Sequence, residues 1–343
     1  MLNIVDGLTY DDVLMVPKYS TIKSRGHIDL SIRLSKGIKL KLPIVPANMT
    51  SIMNIEIAKE FYTLGAMSIM HRFSPAENQF AWVEEVRSWQ DGLNYVGFSV
   101  GVNEQDYDVV DNFARMGVKI LCIDVAHGHS TMCKEMTNYI SDKYPGIFLV
   151  AGNVCTSDGA AMLWSAGADV VKIGVGPGSL CSTRIQTGAG MPQLTAISDI
   201  RDMQIMMQQK IVERSLFTIA DGGITNSGNS VKALAFSDLI MSGNLFAGAV
   251  GTPGGAITID GVSYKSYVGS STHKTSYVEG VQSLVKTKGT ILEIMTSLCE
   301  GIRSGCSYNG VSNLRELKND PKFVRVSHTG LKENGAHDVM VVK

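Results

Sequence analysis

Cys181 lies in a loop whose composition suits covalent chemistry. Glycine occurs five times around it, at positions 174, 176, 178, 188 and 190, and small hydroxyl residues flank the thiol. Glycines at this density let the backbone approach a ligand closely and supply positive φ angles that would strain other residues. Most free cysteines are small buried hydrophobes, but a thiol in such a loop can reach a substrate. The pattern therefore predicts a cysteine nucleophile, which must react as a thiolate.

Two other glycine-rich turns have the composition of an anion-binding site. One is Ala220-Asp-Gly-Gly-Ile224 and the other is Ser242-Gly-Asn244. Their backbone N–H groups can donate to an anion, and a helix predicted to begin near Ser227 adds its positive end. A Gly-Gly pair by itself is commonly an ordinary turn. Together with Ser179 beside the cysteine, however, the two turns predict a cradle for the phosphate of a nucleoside monophosphate.

Eight short apolar runs alternate with segments of helical periodicity. The runs, taken as strands, are 43–47, 67–70, 95–100, 120–125, 147–151, 170–174, 217–220 and 239–242. The helices between them are expected at 55–64, 75–89, 104–116, 130–143, 158–166, 193–209 and 227–236. Strands that are apolar on both faces belong to parallel sheets, so eight β–α units predict an α/β protein with a (β/α)8 TIM barrel. A doubly wound open sheet is the alternative.

The barrel prediction explains why the three glycine-rich loops belong together. In such barrels the chemistry gathers at the C-terminal ends of the strands, and phosphate often binds after strands seven and eight. The loop of Cys181 follows the sixth predicted strand, and the turns at Asp221 and Ser242 follow the seventh and eighth. We therefore expect all three at one mouth of the barrel.

Composition argues against several classes of partner. The formal net charge is −1, so no surface for nucleic acid is expected. The sequence shows neither a signal segment nor an apolar stretch of about eighteen residues, so no membrane partner is expected. The six cysteines lack the spacing of a zinc site or of a secreted disulfide framework. We therefore expect reduced thiols in a cytoplasmic protein.

The segment Gly176-Pro-Gly-Ser-Leu-Cys-Ser-Thr-Arg184, with Gly190-Met-Pro-Gln193 after it, resembles the active-site loop of the IMP dehydrogenase/GMP reductase family. The resemblance extends from Gly7-Leu-Thr-Tyr-Asp-Asp-Val-Leu14 to Gly330-Leu-Lys-Glu-Asn-Gly-Ala-His-Asp338. It implies that Cys181 attacks C2 of a purine nucleotide, GMP or IMP, to form a thioimidate. It also implies one catalytic domain over residues 1–343, with an N-terminal clip at 1–40, a flap at 252–288 and a C-terminal tail at 320–343. No inserted module of paired nucleotide-sensing repeats is expected.

The same resemblance assigns substrate-binding roles to residues at several strand ends. It places Asn48 and Met49 beside the purine and Asp221 on the ribose hydroxyls. A carboxylate suits the ribose because it can accept two hydrogen bonds at once. The other residues expected to bind substrate are Ser179, Gly222, Gly223, Ser242, Gly243, Tyr267, Gly269, Ser270 and Ser271.

The nicotinamide cofactor is expected beside a second group of residues. The resemblance places NADPH, or NAD in a dehydrogenase, beside Asp124, Ala126, His127, Asn153 and Gly174. Asp124 could instead only cap the next helix, and Asn153 could be a turn residue. No GxGxxG fingerprint follows a strand, so the cofactor is not expected to be held as in a dinucleotide-binding sheet.

Two further features follow from the resemblance alone. A monovalent cation such as K⁺ would be held by the backbone carbonyls of Gly176, Gly178 and Cys181. The assembly would be a homotetramer.

Members of this family convert the same kind of adduct in two ways. Dehydrogenases transfer hydride from IMP to NAD and hydrolyse the adduct to XMP with an Arg-Tyr pair on a long flap. Reductases release ammonia from GMP and then use hydride from NADPH to form IMP. This chain has no arginine between Arg214 and Arg303, and only a short link joins Ser271 to Glu279. Because Thr183 and Glu279 resemble the proton-handling pair of the reductases, we predict NADPH-dependent reduction of GMP.

Other features favour IMP dehydrogenase as the alternative. The segment Ala126-His-Gly-His-Ser130 is the dehydrogenase-like version of its loop. The tail from Gly330 resembles a dehydrogenase segment that completes a potassium site in a neighbouring subunit, although it departs from that pattern after Glu333. Glu279 could also be only a solvated carboxylate of the flap. A third hypothesis is a purine-nucleotide-binding protein with reduced catalysis, against which the intact Cys181 argues.

Overall fold

The computed structural model describes residues 4–269 and 282–335. Its strands, in chain order, are β1 (Val13–Met15), β2 (Ile32–Arg33), β3 (Lys39–Leu40), β4 (Ile44–Pro46), β5 (Ser68–Met70), β6 (Val96–Val100), β7 (Ile120–Asp124), β8 (Phe148–Val154), β9 (Val170–Ile173), β10 (Phe217–Asp221), β11 (Leu239–Ser242), β12 (Ala256–Ile259), β13 (Val262–Val268), β14 (Gln282–Lys286) and β15 (Phe323–Arg325). Its α-helices are α1 (Ile55–Thr63), α2 (Ala76–Arg87), α3 (Glu104–Arg115), α4 (Thr131–Lys143), α5 (Ser157–Ser165), α6 (Thr183–Thr187), α7 (Gln193–Lys210), α8 (Ser227–Leu234), α9 (Ile291–Tyr308) and α10 (Leu314–Leu317).

Strands β4 to β11 form a closed barrel of parallel strands. Hydrogen bonds join them in the order β4, β11, β10, β9, β8, β7, β6, β5, and a parallel bridge between Leu42 and Ala66 completes the ring. Nearly all of their residues are buried, and the half-buried exceptions include Asp124, Asn153 and Asp221 near the C-terminal ends. The predicted (β/α)8 barrel is confirmed, and no inserted module interrupts it.

Two local features differ from the predicted elements. Strand β8 continues to Val154 with a register shift after Gly152, so Asn153 lies on the strand and not in a turn. The short helix α6 follows Cys181 almost directly and ends at Gly188, whose φ of 68° is left-handed. An irregular register and a helix of little more than one turn leave no periodic signal in the sequence, because periodicity needs several repeats to be recognised.

Side-chain caps fix the helices that begin at the C-terminal mouth. The side chain of Asn226 accepts a hydrogen bond from the amide of Asn229 at 2.8 Å, so helix α8 begins immediately after the turn at Asp221. Ser130 caps helix α4 in the same way, through the amide of Cys133 at 3.4 Å. A cap satisfies one of the otherwise unpaired N–H groups of a helix start. The helix start predicted near Ser227 is confirmed.

Buried ion pairs lie at the opposite, N-terminal end of the barrel. Asp169 precedes β9 and accepts a hydrogen bond from the ammonium of Lys36 at 2.7 Å. Asp238 precedes β11, pairs with Lys318 and accepts from the amide of Thr218 at 2.9 Å. Burial by itself raises the pKa of Asp238, but Lys318 and these hydrogen bonds hold the pKa below its ordinary value. Residues at this end of a (β/α)8 barrel commonly serve stability rather than catalysis.

The remaining strands surround the barrel. Strand β1 pairs antiparallel with β15, and β2 pairs with β3. Strands β12, β13 and β14 form an antiparallel sheet, whose central strand carries Tyr267 to the barrel mouth. All six cysteines have free thiols. Among the described residues, no helix has the length and apolar character needed to cross a bilayer.

Candidate active site

A cavity of about 250 Å³ opens at the C-terminal mouth of the barrel. Most of the site residues expected from the sequence line it. They are Asn48, Met49, Asp124, Ala126, Asn153, Gly174, Gly176, Gly178, Ser179, Cys181, Thr183, Asp221, Gly222, Gly223, Ser242, Gly243, Tyr267 and Gly269. His127 is not among the lining residues. Its ring is exposed and lies 6.3 Å from that of His129. Ser270, Ser271 and Glu279 lie outside the described residues.

Cys181 is held at the cavity by its own loop and is exposed. Its thiol donates to the hydroxyl oxygen of Thr183 at 3.1 Å, and its amide donates to the carbonyl of Gly178 at 3.0 Å. These contacts place a nucleophile and a proton-carrying hydroxyl side by side. Such a pair can add a sulfur atom to an electrophilic carbon while the hydroxyl helps to move a proton.

Arg184 fastens the two ends of the cysteine loop. A Cβ atom built on Gly176 would lie 2.5 Å from the Arg184 side chain, and one built on Gly190 would lie 2.7 Å from it. The guanidinium also donates to the carbonyl of Met191. Because both glycines have positive φ angles, the loop needs glycine there for conformation as well as for space.

The turn after β10 is packed directly against the cysteine loop. Gly222 and Gly223 have φ angles of 105° and 75°, values that glycine adopts without strain. A Cβ on Gly222 would lie 2.8 Å from the ring of Pro177, and one on Gly174 would lie 2.0 Å from the carbonyl oxygen of Asp221. The glycines therefore bring the carboxylate of Asp221 and the thiol loop to the same wall.

The turns after β10 and β11 are tied together by Ser242. Its hydroxyl donates to the carbonyl of Ile224 at 2.8 Å and accepts from the amide of Leu245 at 3.2 Å. The hydroxyl is therefore already engaged within the protein. Asn244, which the sequence reasoning did not single out, donates to the hydroxyl of Ser179 at 3.2 Å and joins the third loop to this cradle.

Tyr267 covers the cradle from strand β13. A Cβ on Gly243 would lie 2.4 Å from its hydroxyl, so only glycine leaves room for the phenol. Burial, with the charge of Asp221 as a smaller cause, raises the pKa of Tyr267 to about 12. The phenol therefore remains a hydrogen-bond donor at neutral pH.

The wall formed by β4 and β6 is suited to a flat base. Asn48 is buried and donates to the hydroxyl of Ser99 at 2.9 Å. This bond fixes the side-chain amide of Asn48 beside Met49, and within the described residues no hydrogen bond reaches its oxygen. Ser99 was missed by the sequence reasoning because a serine inside a strand carries no motif.

A lysine inside the barrel links two of the expected site residues. The ammonium of Lys172 donates to Asp124 at 3.0 Å and to Asp221 at 2.9 Å. Asn153 donates to the same oxygen of Asp221 at 2.8 Å and to the carbonyl of Gly174 at 2.8 Å. The sequence did contain a signal for Lys172, since a charged residue in an apolar strand is rarely buried without a partner.

Arg72 and Phe73 lie on the side of the cavity beyond Asp124. Arg72 donates through Nε to the backbone carbonyl of Asp124 at 3.1 Å, and its guanidinium lies 4.4 Å from the ring centre of Phe73. Arg72, Phe73 and the backbone of Val125 and Ala126 line this side. The donors, acceptors and aromatic surface there fit a polar aromatic ring such as a nicotinamide.

The comparisons with known proteins agree on one family. The family model described as the IMP dehydrogenase / GMP reductase domain matches residues 7–337. The chain is 37% identical over 323 residues to GMP reductase of Lactobacillus gasseri, covering 92% of this chain and 93% of that protein. It is 33% identical over 408 residues to inosine-5'-monophosphate dehydrogenase of Borreliella burgdorferi, covering 98% of each.

A solved structure supports the same grouping. The structure is of a GMP reductase variant from Trypanosoma brucei in complex with guanosine 5'-monophosphate. It matches with a TM-score of 0.90 and 26% sequence identity, covering 98% of this chain and 99% of that one. The barrel, the loop of Cys181 and the family model thus lead to one conclusion: the chain belongs to the IMP dehydrogenase/GMP reductase family of oxidoreductases.

Proposed function

We propose that this chain is a GMP reductase, which uses NADPH to convert GMP to IMP and ammonia through a thioimidate on Cys181. The observation that carries the proposal is the contact between the Cys181 thiol and the Thr183 hydroxyl, at 3.1 Å, on the wall of the cavity of about 250 Å³. The nucleophile and a proton-handling group therefore stand together. Glu279, which lies outside the described residues, would be the second proton-handling group.

The nucleotide is proposed to lie across the three glycine-rich loops. Its phosphate would receive N–H donors from the turns after β10 and β11, with Ser179, Tyr267 and Gly269 around it and with Ser270 and Ser271 beyond. The ribose would donate to Oδ1 of Asp221, since Oδ2 is already bonded to Lys172 and Asn153. The purine would then lie against Asn48 and Met49, with C2 toward the thiol.

The reaction divides into two bond exchanges at C2. In the first, the thiolate of Cys181 adds to C2, and the bond from C2 to its amino group breaks so that ammonia leaves. Thr183 and Glu279 supply the proton for that departure and manage the thiol proton. In the second, a hydride adds to C2, the C2–S bond breaks, and the sulfur leaves with its electron pair to give IMP. NADPH, when bound, supplies the hydride, and we propose that Asp124, Ala126, His127, Asn153 and Gly174 lie beside it.

The sequence of the flap favours the reductase over the dehydrogenase. Hydrolysis of the adduct needs an activated water, and the chain has no arginine between Arg214 and Arg303 to serve in that role. The alignment with the dehydrogenase relative spans 408 positions, whereas this chain has 343 residues. Part of that relative therefore has no counterpart here. The alignments with GMP reductases take about 323 positions. The dehydrogenase remains the second candidate because the Borreliella relative and the His127-containing loop favour it.

The loop of Cys181 is also proposed to hold a monovalent cation in a homotetramer. Carbonyl oxygens are the ligands that alkali cations accept, and Gly176, Gly178 and Cys181 all belong to the loop that lines the cavity. No cluster of three or more His, Cys, Asp or Glu side chains occurs among residues 4–269 and 282–335 that could hold a metal ion. A cation here would therefore depend on backbone carbonyls, and its binding would stiffen the loop that carries the thiol.

Two parallel assays test the proposed direction. The chain is incubated with GMP and NADPH and, separately, with IMP and NAD, while absorbance at the nicotinamide band is followed. We expect sustained loss of NADPH in the first assay and at most one hydride transfer per site in the second. Sustained formation of NADH with accumulation of XMP would show that water is activated without the arginine, and the dehydrogenase assignment would replace ours.

A further inference from the structure

Lys172 is a buried charge in the middle of a barrel strand. Its side chain is 3% exposed, and its neighbours Val171 and Ile173 are fully buried. An ammonium group in such a place is unfavourable unless it is paired and hydrogen-bonded. The strand could carry an apolar residue at this position, so the partners of Lys172 must account for its presence.

Both partners of Lys172 are carboxylates that face the cavity. The ammonium lies 3.0 Å from Oδ1 of Asp124 and 2.9 Å from Oδ2 of Asp221. Within the described residues, no hydrogen bond reaches Oδ2 of Asp124 or Oδ1 of Asp221. One oxygen of each carboxylate is thus held by the lysine, and the other is left for a ligand.

The lysine also offsets the charge of the two carboxylates. Their bonded oxygens share one nitrogen, so they are no more than about 6 Å apart, a range in which two carboxylates oppose each other's ionisation. Burial alone opposes the charged form of Lys172, but Asp221 and Asp124 together raise its pKa above the ordinary value. The triad therefore carries one net negative charge, and removal of the lysine would leave two opposed carboxylates.

Three neutral groups near this triad keep their protons at neutral pH. Burial raises the pKa values of Cys122 and Tyr10, and it raises that of Tyr267 to about 12. The guanidinium of Arg72 contacts the backbone carbonyl of Asp124.

We propose that Lys172 is a positioning residue that couples the two halves of the site, because it fixes the ribose-binding carboxylate of Asp221 and the cofactor-side carboxylate of Asp124 in one charged triad. The inference rests on the proposed function, which assigns the nucleotide to Asp221 and the dinucleotide to Asp124. It adds that nucleotide affinity depends on the charge state of the cofactor side even before a cofactor binds.

The test uses three variants of the whole chain and measures GMP binding by calorimetry between pH 6 and 9. Lys172→Met removes the cation and leaves two carboxylates. Lys172→Met combined with Asp124→Asn restores a single negative charge. Lys318→Met is the matched control, since it also breaks a buried lysine–aspartate pair but at the far end of the barrel. Each Kd is divided by that of the parent at the same pH, which cancels the titration of the nucleotide phosphate.

The single variant should bind GMP at least about tenfold more weakly than the parent at pH 6, the effect of one pKa unit. Its Kd ratio should fall as pH rises, because Asp221 regains its charge. The double variant should bind GMP within about threefold of the parent at every pH, since like-charge repulsion is gone. For Lys318→Met, the ratio of its Kd to that of the parent should stay near one at every pH.

Failure of the inference differs from failure of the proposed function. If the parent binds no GMP, the proposed function fails and the inference with it. If the parent binds GMP but the double variant binds it as weakly as the single variant, the charge of Asp124 does not act on Asp221 and the inference alone is overturned. If Lys172→Met does not fold, GMP binding by the double variant tests the inference. Affinity near that of the parent supports the role, and a loss of tenfold or more contradicts it.

Discussion

Replacement of Asp221 by asparagine should weaken nucleotide binding without stopping the chemistry. The carboxylate uses Oδ2 for Lys172 and Asn153, and Oδ1 is the oxygen proposed to face the ribose. Asparagine keeps the size of the side chain and one acceptor but removes the charge. Lys172 retains Asp124 as a partner at 3.0 Å, so no buried charge is left unpaired.

The size of the effect follows from the kind of hydrogen bond that is lost. A bond to a charged group contributes about 1.5–3 kcal/mol and a bond between neutral groups about 0.5–1.5 kcal/mol. Asp221→Asn therefore costs about 1–2 kcal/mol of ribose binding, which corresponds to a rise of roughly 5- to 30-fold in KM for GMP. Because the interaction is the same in the ground state and the transition state, kcat should change much less.

Steady-state kinetics with GMP and with its 2′-deoxy analogue measure this effect. The parent should prefer the ribonucleotide, and Asp221→Asn should lose much of that preference. Lys318→Met is the matched control, since it breaks a buried lysine–aspartate pair at the far end of the barrel and should leave KM for GMP unchanged. An unchanged KM for GMP together with a collapse of kcat would refute the reasoning and move Asp221 into the chemical step.

Three further predictions concern the chemistry and the stability of the barrel. Cys181→Ala should abolish turnover and leave GMP binding by calorimetry within about threefold of the parent, because only the sulfur is lost; a tenth of the parent rate would contradict the covalent mechanism. Glu279→Gln should slow ammonia release by about 10²-fold or more, as loss of a general acid does, while hydride transfer from IMP in a single turnover should suffer less. Lys318→Met should lower the free energy of unfolding in urea by about 3 kcal/mol with kcat unchanged. The pKa of Asp238 is lowered in the folded state, so that difference should be present at neutral pH and shrink as the solution is acidified below the unfolded value of about 3.9.

The barrel could be predicted from the sequence because each strand is a short apolar run. The runs at 120–125 and 170–174 differ from β7 and β9 by one residue, since burial on both faces leaves a continuous signal. The cysteine loop could be recognised because its conformation requires glycine at fixed positions, and that spacing is visible in the sequence. A Cβ on Gly176 or Gly222 would enter a neighbouring side chain.

The contacts between separate loops could not be predicted in this way. The bond from Asn244 to Ser179 and the bond from Asn48 to Ser99 join residues that are far apart in the chain. Such pairs depend on the packing of whole strands, and no local sequence pattern predicts them. Lys172 is different, because its charge in an apolar strand was visible, but its two partners follow only from the register of the barrel.

The balance of products tests the central claim most directly. The parent and Cys181→Ala are incubated with GMP and NADPH over many turnovers, and IMP, ammonia and oxidised cofactor are measured in the same samples. The proposed reaction gives one IMP and one ammonia for each NADPH that the parent consumes, and Cys181→Ala should turn over at less than a tenth of that rate. Turnover of IMP and NAD to XMP by the parent, without reduction of GMP, would contradict it.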